Sequence, residues 1–321
     1  MRFVLRFLGF AAAFAFLLLV SGLLGLPGLA MAHAGHAHAP LAWTFDPLTV
    51  SLLVLSTAGY ALGLVRIRQA RRSAILKPWR IVAFCGGMMM LVLALLSPLD
   101  QLAASSFSAH MSQHLLLMLG APPLLVASHP MIAWLWCFTP ARRKRLSRWW
   151  AGRGTVRRAI GVLLHPATVW TGATVALWFW HMPRPYAWAL ANENVHAFEH
   201  ACFFLTSLAF WYVLFEPRGR ALLGYGGAIL FGLTFGIQNG FLGAILTFAR
   251  HPLYAAYQGT SATGMYGLGA LEDQQLAGVL MWVPTGIVHL GLLLSLLVNW
   301  LNNAGRSPDG AQRTSLALDS K

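Results

Sequence analysis

The sequence predicts an all-α, polytopic membrane bundle: seven transmembrane helices behind an N-terminal signal peptide or signal anchor. Three observations predict it. Of 321 residues, 57% are hydrophobic and only 10% are charged, a balance foreign to a soluble domain. Apolar stretches near the length of about 20 residues that crosses a bilayer recur along the chain. Lys and Arg gather in alternate loops, as they do on the cytoplasmic side of membrane proteins.

The first stretch is preceded by Arg2 and Arg6 and ends at Ala30-Met31-Ala32. That pattern reads as a secretory signal over 1–32 with a small-x-small cleavage site; the length of its apolar run leaves an uncleaved anchor open. Residues 33–46 form a His-rich extracytoplasmic tail carrying His33, His36 and His38. The transmembrane domain covers 47–300, with spans at approximately 47–65, 79–97, 107–127, 160–181, 194–215, 227–249 and 276–300. A cytoplasmic tail, 301–321, closes the chain.

Basic residues set the direction. Six lie in 66–80, eight in 139–158, then Arg218 and Arg220, then Arg306, Arg313 and Lys321; the other loops hold only Arg184 and Arg250. The pattern predicts a mature N-terminus outside and a C-terminus in the cytoplasm. The net charge of +14 is therefore a topology signal with some attraction for anionic membrane lipid, and it does not indicate nucleic-acid binding. Cys85, Cys137 and Cys202 are far apart and inside or beside spans, which argues against a disulfide framework. Cys202 is expected to pack.

Nine of the twelve histidines fall on the outer side under this topology. His110 and His114 open the third span, His181 closes the fourth, and His196 and His200 open the fifth. The two pairs are each spaced i, i+4, which puts both rings of a pair on one helix face. Two such faces turned inward bring up to four imidazoles around one point, a donor set suited to copper, zinc, iron or nickel. Glu199 stands three residues after His196 and Asp100 precedes the third span, both available to orient ligating rings. Met111 and Met182 add thioethers, which favour Cu(I). His33, together with a new amino group after Ala32, is a possible accessory chelator.

Plainer roles suit other residues. His129, His165 and His251 each precede proline and read as helix-boundary residues. His289 is isolated near mid-membrane, where an ionisable residue is a functional candidate by default. In "FGLTFGIQNGFLGAI" the glycines offer small faces for close helix packing. Gln238 and Asn239 there either bond across helices or line a path.

Three stretches carry a resemblance: "SPLDQLAASSFSAHMSQHLLLMLGAPPLLV", "WFWHMPRPYAWALANENVHAFEHACFF" and "LEDQQLAGVLMWVPTG". Together they resemble the CtaG family of multi-span assembly factors for cytochrome c oxidases of the caa type, over about residues 45 to 300. The resemblance implies a polytopic protein of the bacterial inner membrane that matures a haem–copper oxidase through its copper, with oxidase subunits as partners. The family's shared polar positions fall on His110, His114, His181, His196, His200 and Asp273.

Competing readings remain at this stage. "HAFEH" also fits the H-x-x-E-H pattern of a zinc protease with Glu199 as base, and paired HxxxH boxes occur in di-iron oxygenases. A haem-binding electron carrier would use one histidine from each of two helices. A copper permease would need polar groups continuing inward, and Gln238, Asn239 and His289 are the candidates.

Overall fold

Proline starts most of the helices, at the first-turn position where a missing N–H costs nothing. The structure is a computed structural model that describes residues 42–72, 75–257 and 268–304. The signal segment 1–32, His33 and the rest of 33–41, Met265 and residues 305–321 lie outside the described residues.

Helix α1 (Pro47–Gln69) begins behind Asp46, whose side chain accepts the Thr49 N–H at 2.7 Å. It is followed by α2 (Pro78–Leu95) and the short α3 (Pro98–Ala103). The third span is composite: α4 (Phe107–Leu115), a π turn over Leu116–Gly120, and α5 (Ala121–Ser128). Its break follows from "GAPPLL": Pro122 and Pro123 have no N–H to return to the preceding turn. The Met118 carbonyl bonds instead to the Ser207 hydroxyl and, at 3.1 Å, to the Trp211 indole N–H. Both donors sit on the helix Glu193–Phe215, so the proline pair ties the third span to the fifth.

His129 adopts the left-handed conformation (φ 49°, ψ 56°) between α5 and α6 (Pro130–Trp136). Its ring pairs with Glu216 at 2.8 Å. Helix α7 (Pro140–Gly152) carries the basic segment, and Arg143 stacks over Trp136. The fourth span is bent by 56° between α8 (Gly154–Leu163) and α9 (Pro166–Trp180), at the His165–Pro166 step where the sequence predicts a boundary. Short α10 (Pro183–Ala191) leads to α11 (Glu193–Phe215). Helix α12 (Pro217–Thr247) kinks at Gly224, and α13 (Ala270–Ala304) is the longest.

Among the described residues six helices are long and apolar enough to cross a membrane, and a seventh span is reached when the bent pair is counted as one. The seven-span expectation and the all-α class both stand. Helices α12 and α13 pack along most of their length through Gly243 and Gly278. A Cβ on Gly278 would meet the Gly243 carbonyl oxygen at 2.6 Å and crowd Thr247 Oγ1. Gln238 bonds across helices, accepting from Trp178 Nε1 at 3.1 Å and donating to Thr174 at 3.2 Å.

Candidate metal centre

The starts of α4, α11 and α13 and the end of α9 meet at one end of the bundle. The i, i+4 spacing does what helical geometry demands: His110 and His114 project from one face of α4, and His196, Glu199 and His200 from one face of α11. His181 joins them from the C-terminus of α9. Ring centroids lie 5.1 Å apart for His110 and His196, 5.3 Å for His114 and His200, and 6.0 Å for His114 and His181. The two histidine pairs thus converge as their spacing predicts.

Two groups have ligand atoms all within 4.8 Å of one another: His110, His114 and His200, and His110, His196 and Glu199. His110 belongs to both. The site is dry: His110, His114, His181, Glu199 and His200 are all buried. Glu199 Oε1 lies 3.9 Å from His114 Nε2.

The hydrogen-bond accounting tests whether these residues suit an ion. Nε2 of His110 and Nε2 of His114 are 2.9 Å apart. Either one of them carries the shared proton, or both lone pairs face a common cation. His114 Nδ1, His181 Nε2, His196 Nε2, His200 Nε2 and both Glu199 oxygens are buried without a hydrogen-bond partner. Buried polar atoms are nearly always satisfied, and each one left over costs about 1–3 kcal/mol. A cation would satisfy His181, His196, His200 and Glu199 here, and His114 through one nitrogen only, since a neutral imidazole has a single free lone pair.

Residues around the cluster fix its rings. His181 Nδ1 lies 2.7 Å from the Leu177 carbonyl and donates to it, which leaves Nε2 as the lone-pair nitrogen. Tyr254 donates to the His181 carbonyl at 2.7 Å. Tyr257 stands 3.4 Å from His110 Nδ1 and bonds the Ala103 carbonyl and the Tyr186 hydroxyl. Burial pushes the Tyr186, Tyr254 and Tyr257 phenols above their ordinary range, so they stay neutral hydroxyls. Sequence reasoning missed these tyrosines; the aromatic residues in "HPLYAAY" after the sixth span and in "MPRPY" were the available signal.

Several candidates stand elsewhere. Asp273, expected as a ligand, spends both oxygens on the start of α4. It accepts from Phe107 N at 2.6 Å, Ser108 N at 3.3 Å and the Ser106 and Ser108 hydroxyls. The reason is the positive end of the α4 dipole, which attracts a carboxylate; Asp273 anchors the helix that bears two histidines. Asp100 accepts from Gln113 at 2.9 Å and Thr44 at 3.2 Å, and so holds α3 against α4. Met111 is fully buried beside the cluster, whereas Met182 is half exposed at the cap of α10.

Comparison with known proteins follows this geometry. A family model described as cytochrome c oxidase caa3 assembly factor (Caa3_CtaG) matches residues 58–303. An uncharacterized protein of Mycobacterium leprae is 25% identical over 278 residues, covering 80% of this chain and 39% of that protein. An uncharacterized protein of Mycobacterium bovis is 25% identical over 264 residues, with the same 80% and 39% coverage. The chain therefore spans 39% of the length of these curated relatives. No solved structure matches it.

Proposed function

The chain belongs to the family of cytochrome c oxidase caa3 assembly factors, whose model it matches over residues 58–303, and from that premise we propose that its histidine cluster takes up copper at the extracytoplasmic end of the bundle and holds it for insertion into the oxidase. In this reading copper is cargo, the oxidase subunits are the partners, and the chain is an assembly factor without a catalysed reaction of its own. One observation carries the proposal: imidazoles from three helices converge with six buried, unpartnered donor atoms among them and Glu199.

Charge favours a monovalent ion. Glu199 is the single carboxylate in the donor groups. One carboxylate neutralises Cu(I) but leaves a divalent ion with excess charge in a low-dielectric interior. Imidazole is also a ligand that suits copper. Glu199 sits inside a ligand group with His110 and His196, which argues for a charge-balancing role over that of a free general base.

The test is metal analysis of the full chain purified in detergent, with and without His110→Ala plus His200→Ala. Loss of at least tenfold in copper affinity, with helical content and elution unchanged, is expected. Copper retained at the parental affinity by a folded double variant overturns the proposal. The same samples separate the alternatives: a Soret band marks haem, and co-purified zinc or iron in place of copper marks a different cargo.

A further inference from the structure

The cluster borders a cavity that runs inward along α13. The cavity measures about 30 Å³, and Met111, Met118, Met281, His114, His181 and His289 are among the residues that line it. That volume holds roughly two water-sized species. His114 and His181 belong to the outer cluster as well, so the two spaces share a wall.

His289 is the unexplained group here. It is 5% exposed, and it lies well inside the seventh span. Its Nδ1 is 2.8 Å from the Thr285 carbonyl one turn earlier and donates to it. The lone pair therefore sits on Nε2, which is buried without a hydrogen-bond partner. His181 is built the same way, with Nδ1 held by the Leu177 carbonyl and Nε2 unpartnered. Phe210, Trp211 and Phe235 enclose His289 with ring centroids 6.0–6.3 Å away. Gly236 leaves it room, since a Cβ there would come within 3.3 Å of His289 Cγ. An unpartnered imidazole in a lipid span is costly and marks function.

The walls say what it takes. Three methionines line the same cavity, and the described residues lining it include no Asp, Glu, Lys or Arg. A divalent cation would have no counter-charge there, whereas thioether and imidazole are the neutral, soft donors that Cu(I) prefers. We propose that this cavity, with His289 Nε2 as its imidazole donor and a methionine of its lining as the sulfur donor, is a second Cu(I) station within the membrane, supplied from the outer cluster through His114 and His181. The inference rests on the reading of the outer cluster as a copper site and adds a place for the ion to go.

The experiment loads the full chain with Cu(I) anaerobically against a competing chelator, counts copper per chain, and records the copper K-edge absorption. The parent is expected to hold two ions, with sulfur among the near neighbours. His289→Ala should hold one, with only nitrogen and oxygen neighbours. Met111→Leu, Met118→Leu and Met281→Leu together keep the volume of the walls and should abolish the sulfur signal in a chain that still folds. Zn(II) offered to the parent should fill one site only. A parent that binds one copper without sulfur, unchanged by His289→Ala, overturns the second station and leaves the outer site standing. A parent that binds no copper overturns both.

Discussion

Asp273 anchors the helix that bears His110 and His114, and under the proposed function it supports the cation site without touching the cation. Its carboxylate is 4% exposed and accepts from two backbone N–H groups and two hydroxyls at the start of α4. Removing such an acceptor strands buried donors, at about 1–3 kcal/mol for the group most affected. Asp273→Ala should therefore lower the thermal stability of the detergent-solubilised chain and weaken copper binding about 10–100-fold, the usual effect of losing an orienting partner. His110→Ala should weaken copper binding while it leaves the Asp273 anchor of α4 intact. If Asp273→Ala binds copper at the parental affinity, the anchoring role fails. The histidines were legible in sequence because i, i+4 spacing is itself a geometric statement. The part played by Asp273 was not, because a carboxylate that caps a distant helix and one that binds an ion look alike until the two segments meet.

At the scale of helices, periodicity and hydropathy show where spans lie but not how they break. The third span was expected as a single helix, and the fourth carried a boundary expected at His165. The third is interrupted by a π turn at Leu116–Gly120 and the fourth bends by 56°. The local causes, Pro122-Pro123 and His165-Pro166, are visible in the sequence. Their outcome depends on Ser207 and Trp211 supplying donors to the freed Met118 carbonyl. The glycine faces were more legible, since small residues bring backbones together. Gly278→Ala would push α13 off α12 by placing a Cβ 2.6 Å from the Gly243 carbonyl oxygen. We expect a loss of about 1–3 kcal/mol from this overpacking, read as a lower unfolding temperature, together with weaker copper binding because α13 carries Asp273. Gly286→Ala meets no atom within 4 Å and should be neutral or slightly stabilising through helix propensity. Equal behaviour of the two variants would refute close packing at Gly278.

For the whole molecule the direction of insertion decides whether copper is met outside the cell or within it. Basic side chains of α7, among them Lys144 and Arg145, lie at the end of the bundle opposite the cluster by chain order: α11 begins at Glu193 beside the histidines, and α4 begins there at Phe107. If basic loops stay cytoplasmic, the cluster faces outward, where assembling oxidase subunits would present their own extracytoplasmic domains. Single-cysteine probes test this after Cys85, Cys137 and Cys202 are replaced by serine. Glu193 and Lys144 are both exposed. Glu193→Cys should react with a membrane-impermeant maleimide on intact cells. Lys144→Cys should react only once the membrane is opened. The reverse pattern would place the histidines in the cytoplasm. Copper would then have to pass the His289 cavity outward before reaching the oxidase, and the outer cluster would become the loading end of a transporter.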